Sequence, residues 1–264
     1  MLKLEKINKT FNIGTVNEKK VLHDLDLELN EGDFVTIIGG NGAGKSTLLN
    51  MISGLFPLDS GKIILDNEDI SLQDEHQRAK KIGRLFQDPM LGTAADMQIL
   101  ENLALAKRRG QKRGLSWGIT KEEKKEYHEL VKTLGLGLED RLTTKVGLLS
   151  GGQRQALTLL MATLQRPKIL LLDEHTAALD PATSAKVLKL TCDIVSDQRL
   201  TAMMVTHNMQ DAIDVGNRLI MMYDGKIIYD VRGEDKKKLT VADLLKKFEE
   251  ASGSEFVNDR MLLG

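Results

Sequence analysis

Cysteine is almost absent from this sequence: Cys192 is the single one among 264 residues. An internal disulfide framework and a cysteine zinc cage are therefore excluded, and nothing in the cysteine usage suggests secretion. Histidine is sparse as well. The five present never form a His-Glu-x-x-His array, which argues against a zinc hydrolase. Neither sign of charge is in excess, with 37 Lys and Arg against 38 Asp and Glu and a net charge of −1. A chain that coats nucleic acid draws most of its affinity from a basic surplus, so no nucleic acid partner is expected. Long hydrophobic runs are missing too. The most apolar stretches, residues 157–164 and 169–172, fall far short of the roughly 18 apolar residues of a spanning helix. The first six residues alternate charged and apolar side chains and lack the apolar centre of a signal peptide. The expectation is a soluble cytoplasmic protein, with any membrane attachment coming through a partner.

What remains is an ordinary globular composition, 28% charged and 41% apolar, long enough for one large α/β domain or two smaller units. No internal repeat or low-complexity segment interrupts it. Period-two alternation predicts strands over residues 2–7 and 25–29, with turn chemistry across 12–18 between them. Residues 34–38 are almost uniformly apolar, as in a strand buried on both faces. A glycine-rich turn follows, then a helix over 46–53 that stops at Gly54. A further strand pair is expected at 62–66 and 82–87. From about 94 to 165 the pattern is helical, broken by the basic loop 107–114, which reads as a solvated surface, with a role against lipid headgroups as the alternative. Buried strands return at 169–173 and 202–206. Asp224-Gly225 between two apolar runs predicts a hairpin, and Thr240 is a plausible cap for a short helix over 241–248. The tail beyond Ser252 is expected to be loosely held. The coarse picture is a strand-rich sandwich core with a helical insertion. Within it, Cys192 reads as a small buried apolar residue on a helix.

Two motifs carry chemistry. Gly39-Gly40-Asn41-Gly42-Ala43-Gly44-Lys45-Ser46-Thr47 fits Gly-x-x-x-x-Gly-Lys-[Ser/Thr] between a buried strand and a helix, the context of a phosphate loop. Glycines let successive backbone N–H groups point at one anion, and the helix N-terminus adds a favourable dipole. Lys45 can bridge the β- and γ-phosphates, and the Ser46 hydroxyl can ligate Mg²⁺. Downstream, an apolar strand ends in Asp173-Glu174. Asp173 can hold the magnesium shell from the side opposite Ser46, and Glu174 can act as general base on a water for in-line attack.

A third motif decides between families. Leu149-Ser150-Gly151-Gly152-Gln153 opens a helix at the far end of the helical stretch, a second anion site distant in sequence from the first. Two such elements in one chain suggest that each completes a site on another copy. The string resembles the signature of the ATP-binding cassette (ABC) ATPases, and the resemblance covers roughly residues 1–232. It implies an α/β fold: a P-loop NTPase with a RecA-like core (1–87 and 166–232), an antiparallel β subdomain and an inserted α-helical subdomain (about 88–165), followed by a C-terminal helical extension (233–264). By the same resemblance Phe11 stacks on adenine, Gln87 joins the magnesium shell and senses a membrane subunit, 177–180 crosses a dimer interface, and His207 contacts the γ-phosphate. Two copies would then sandwich two ATP molecules head to tail. Each site would use Lys45, Gln87, Glu174 and His207 of one chain with Ser150 and Gly152 of the other.

Ala156 and Met161 stand where many relatives carry arginine, and Ala177 replaces a common serine. None of these touches the phosphate, magnesium or base positions, so an active ATPase is expected. Met90 and Met97 are either adaptable residues facing a membrane partner or ordinary core. The resemblance implies the nucleotide-binding subunit of an ABC transporter at the cytoplasmic face of the membrane. Its expected partners are permease subunits and an extracytoplasmic solute-binding protein. Residues 86–93 and 101–103 look most like importers of amino acids and related small solutes. A soluble ABC ATPase of DNA repair or ribosomes is the alternative, but such proteins typically carry a long coiled coil or two fused cassettes.

Overall fold

The computed structural model describes residues 1–111 and 118–252. The chain divides into two compact units, one formed by residues 1–78 with the described part of 199–264, the other by residues 79–198.

The first unit holds an antiparallel sheet and a largely parallel one. In the antiparallel sheet β1 (Leu2–Phe11) lies between β2 (Lys19–Leu29) and β4 (Ser60–Leu65), with the two-residue β5 (Glu68–Asp69) beyond. Leu2 and Leu4 pair with Leu29 and Leu27 on one side and with Leu65 and Ile63 on the other, and all six are buried. Lys3 and Glu28 take the opposite face, which is what period-two patterning requires. The register slips between Leu4 and Ile7, where Lys6 adopts φ 46° and its N–H donates to Asp26 Oδ1 at 2.9 Å. This bulge moves the buried side chains from even to odd positions, so the strand runs four residues past the predicted end at Ile7.

In the other sheet β3 (Phe34–Ile38) runs parallel to both β8 (Ala202–Val205) and β9 (Arg218–Tyr223), and β9 turns back into β10 (Lys226–Arg232). All five residues of β3 are buried, as its uniform apolarity predicts. Its one hydroxyl is satisfied: Thr36 Oγ1 donates to Ala212 O at 2.7 Å. The hairpin turns at Asp224 (φ 43°) and Gly225 (φ 69°), the two positive angles of the tight turn that suits twisted strands. After β3 comes α1 (Lys45–Ser53), one residue longer than predicted and stopped at Gly54 in the left-handed conformation. The unit is completed by α2 (Glu75–Arg78) and, after β8 and β10, by α7 (Met209–Asp214), α8 (Gly233–Lys237) and α9 (Val241–Ser252). Thr240 and Asp243 form the reciprocal hydrogen bonds expected of a helix start.

The second unit contains the parallel pair β6 (Ile82–Leu85) and β7 (Ile169–Asp173), with Leu85 opposite Leu172. The expected pairing of 62–66 with 82–87 is therefore corrected: β4 pairs with β1, and β6 with β7. Around them lie α3 (Ile99–Lys107), α4 (Lys121–Lys132), α5 (Gly151–Thr163) and α6 (Pro181–Asp197). The first three share a core that includes Leu103, Tyr127, Val131 and Leu157. Capping boxes open α3, α4 and α5.

The basic loop is only partly solvated where it is described: Gly110 and Gln111 are exposed, whereas Lys107, Arg108 and Arg109 are half-buried. Lys107 pairs with Glu126, and Arg108 Nη2 donates to both Glu123 carboxylate oxygens at 2.9 and 3.0 Å. Arg109 donates to Ala162 O and Gln165 O, each at 3.3 Å. Residues 112–114 and the tail from 253 lie outside the described residues. Cys192 is half-buried rather than buried. Among the described residues no helix is long and apolar enough to cross a membrane.

Candidate functional site

The loop from Gly39 to Gly44 leaves the C-terminal end of β3 and delivers the chain into α1. Its shape requires glycine at two points. Gly39 has φ 153°, and a Cβ there would lie 2.2 Å from Met222 O; Gly44 has φ 95°, and a Cβ would lie 2.7 Å from Leu22 Cδ2. At these two points the loop lies against its neighbours with no room for a side chain. Lys45 is 6% exposed, and its Nζ donates to Gly39 O at 2.7 Å and Gly40 O at 3.1 Å. The ammonium is held over the loop's own backbone, where an incoming anion would find it beside Ser46 at the helix start.

Two other predicted residues belong to this unit. Phe11 ends β1 half-buried, its ring edge-on to Phe56 at 5.3 Å and 80°. His207 is exposed just beyond β8, whose parallel pairing with β3 sets it on the edge from which the phosphate loop departs. Thr206 N–H donates to Ile37 O at 3.1 Å, and the Asn208 side chain caps α7, so His207 is fixed on both sides. Ligands in α/β sheets bind at this carboxyl edge.

The remaining predicted residues belong to the second unit. Gln87 is exposed two residues after β6, Asp173 ends β7, and Glu174 follows it; all three sit at the carboxyl edge of the β6–β7 pair. Glu174 has φ 46°, a left-handed conformation costing a non-glycine residue about 1–2 kcal/mol. Ser150 caps α5: its Oγ accepts from Gln153 N at 3.3 Å, while Gln153 Oε1 accepts from Ser150 N at 3.2 Å. Ser150 and Gly151 are exposed, and the hydroxyl proton is free of the cap, whose Oγ only accepts. Gly152 is buried where a Cβ would lie 2.1 Å from Thr183 Cγ2, so a glycine lets α5 approach α6. Asp180 caps α6, and the hydrogen bond with Thr183 holds its carboxyl below the usual range. Of the three unusual alanine and methionine positions, Ala156 is fully buried in the helical core, Met161 packs against that core and Ala177 is exposed. Met90 is exposed and Met97 half-buried.

The family described as "ABC transporter" matches residues 22–177. A tyrosine transport ATP-binding protein of Clostridioides difficile is 44% identical over 95% of this chain and 100% of its own length. The chain belongs to the ABC transporter family. It is an ATP-binding ATPase cassette of that family. A phosphonates import ATP-binding protein of Lactobacillus acidophilus is 31% identical, covering 97% of the cassette and 98% of its own length. A methionine import ATP-binding protein of Streptococcus pneumoniae is 36% identical over 86% of the cassette and 64% of its own length. The solved dimeric cassette MJ0796 in a post-hydrolysis state with ADP and Pi superposes with a TM-score of 0.75 at 32% identity, covering 88% of this chain and 98% of that one. The ADP conformation of the cassette MJ1267 gives 0.76 at 28% identity, covering 94% and 98%. The expected fold class is therefore correct.

Three side chains of the cassette near these motifs escape sequence reasoning. Lys19 Nζ lies 3.5 Å from where a Gly42 Cβ would stand, and the β1–β2 register pairs Lys19 with Phe11. Phe248 of α9 brings its Cζ within 3.4 Å of the corresponding point on Gly40. His175, next to Glu174, is 3% exposed, with Nε2 3.0 Å from Thr191 Oγ1, and burial pushes its pKa down to about 4. Register could have suggested Lys19. Nothing local in the sequence marks the other two.

Proposed function

We propose that the chain is the nucleotide-binding subunit of an importer, working as a head-to-tail ATP-sandwich dimer on separate permease subunits at the cytoplasmic face of a membrane. The observation that carries this reading is the phosphate loop: glycine-only backbone packing with a buried lysine held over it. In this reading residues 1–232 form one cassette with its helical insertion at about 88–165, and 233–264 is an extension. Loop N–H groups from Gly39 to Thr47 and the Lys45 ammonium hold the β- and γ-phosphates, and Phe11 stacks on the base. Ser150, Gly151, Gly152 and Gln153 of the second copy close over the γ-phosphate. Glu174 takes a proton from the attacking water, and His207 steadies the γ-phosphate as charge builds on it.

Ser46, Gln87 and Asp173 supply a hydroxyl, an amide oxygen and a carboxylate, a hard-oxygen set that suits Mg²⁺. Mg²⁺ usually keeps several waters and takes one or two carboxylates plus substrate phosphates, which this small oxygen set allows. When bound, Mg²⁺ neutralises phosphate charge.

The relatives named for tyrosine transport and methionine import support an amino acid as cargo, and a solute-binding protein outside the membrane would deliver it. Glu174→Gln tests the reading. The variant is expected to bind ATP, to hydrolyse it at least about 100-fold more slowly, and to accumulate as an ATP-dependent dimer in gel filtration. Captured from native membranes with ATP, it should bring down a multispanning permease. Normal turnover, or capture of ribosomal or DNA-repair proteins without any membrane subunit, would contradict the proposal.

A further inference from the structure

Glu174 and His175 are consecutive residues held in different ways. The Glu174 backbone occupies a left-handed conformation, which a residue with a side chain keeps only where its surroundings over-determine it. His175 is the buried anchor next to it, with its Nε2 3.0 Å from Thr191 Oγ1 in the middle of α6. The Thr191 hydroxyl has one proton and gives it to Val187 O at 2.9 Å. Toward the imidazole it can only accept, so the ring hydrogen lies on Nε2 and a single neutral tautomer is selected. At its other end the segment is fastened by Asp180, whose side chain accepts from Thr183 N at 3.1 Å. Between the two anchors, Ala177 N–H donates to Glu174 O at 3.0 Å and Leu179 N–H to Thr176 O at 3.2 Å. The turn carrying Glu174 is thus tied to α6 at both ends, and the tie nearer the carboxylate is His175.

We propose that His175 is a positioning residue: its Nε2–H···Oγ1 bond to Thr191 holds the Glu174 backbone in the left-handed conformation and so aims the Glu174 carboxylate. The proposal rests on the reading of Glu174 as general base. With the anchor gone, the backbone at Glu174 relaxes toward an ordinary conformation and the carboxylate turns away from the direction in which it works. Phosphate binding, which uses the loop after β3, is untouched.

The test compares His175→Ala, Thr191→Val, Thr191→Ser, Glu174→Gln and the Glu174→Gln/His175→Ala double variant in the full chain, by steady-state ATPase kinetics and ATP binding. His175→Ala and Thr191→Val should lower kcat about tenfold with KM and the Kd for ATP unchanged. Thr191→Ser keeps the hydroxyl and should keep wild-type kcat. In the Glu174→Gln background, His175→Ala should remove no further activity, because the group it positions is already gone. Unchanged kcat in Thr191→Val overturns the proposal, and so does a full additional loss in the double variant. Should His175→Ala fail to fold, the Thr191→Val and Thr191→Ser pair decides on its own. Near-normal turnover in Glu174→Gln alone is a separate result, one that removes the base assignment.

Discussion

Tyr127 sits in the helical core among Leu103, Val131 and Leu157, fully buried, and its hydroxyl has no hydrogen-bond partner among the described residues. Burial, with Glu123 adding to it, pushes the phenol up to about 12 from its ordinary 10. Between those values the unfolded chain gives up a proton that the folded chain keeps, so this group's stability is present below pH 10 and lost as pH rises toward 12. A phenylalanine fills the same space without the orphaned hydroxyl. Tyr127→Phe should therefore match or exceed wild-type stability at pH 7, by up to about 1 kcal/mol. At pH 11 its advantage should grow by about another 1 kcal/mol. Urea unfolding at the two pH values measures both. A variant less stable at pH 7 would mean that the hydroxyl is bonded after all. Residue for residue, this matters to function because the same core carries α5, on whose first turn Ser150 stands.

The start of α5 combines two demands in one side chain. Ser150 Oγ accepts from Gln153 N, satisfying a helix-end donor, while Ser150 and Gly151 stay exposed, as their proposed role over the γ-phosphate requires. The two uses separate by substitution. Ser150→Ala should cost about 1 kcal/mol in thermal or urea unfolding and also lower ATP turnover; Ser150→Asn, an equally good cap, should recover the stability. Turnover should stay low in Ser150→Asn, since the hydroxyl at the anion site is still missing. Recovery of both would reduce Ser150 to a cap. At this scale the sequence was most readable where the constraints are local. Uniform apolarity marks β3 and β7, the glycine-lysine string marks the turn into α1, and Asp224-Gly225 marks the hairpin. It was least readable where a distant contact intervenes. The bulge at Lys6, pinned by Asp26 from the neighbouring strand, ends the visible alternation of β1 while pairing continues. The partners of β4 and β6 depend on which strands flank them in space, which their own composition does not encode. The same holds for the candidate site residues: Lys45 and Glu174 each stand in a legible motif, whereas the left-handed backbone of Glu174 and the bond of His175 to Thr191 in α6 are not marked by those motifs.

For the molecule as a whole, the described residues after Arg232, 233–252, send Lys236, Leu244 and Phe248 into the first unit's interior. Leu244 is fully buried and Phe248 5% exposed in a cluster with Ile38, Met209, Ile213 and Met221. Phe248 stands edge-on to Tyr223 at 5.9 Å and 84°. Lys236 is buried too, its ammonium bonded to Val215 O and Gly216 O. Ile38 is the last residue of β3, and Phe248 also reaches Gly40, so α9 backs the strand end and the loop together. Truncating such a ring leaves a cavity worth about 3–5 kcal/mol. Phe248→Ala should therefore unfold at markedly lower temperature, while Phe248→Leu, which refills most of the volume, should lose less. If α9 holds the loop in shape, the loss must also be visible at constant fold: at a temperature where both variants are native, Phe248→Ala should bind ATP more weakly than Phe248→Leu, in the order of their stabilities. Equal ATP affinity across wild type and both variants would mean that the extension stabilises the unit without bracing the phosphate loop.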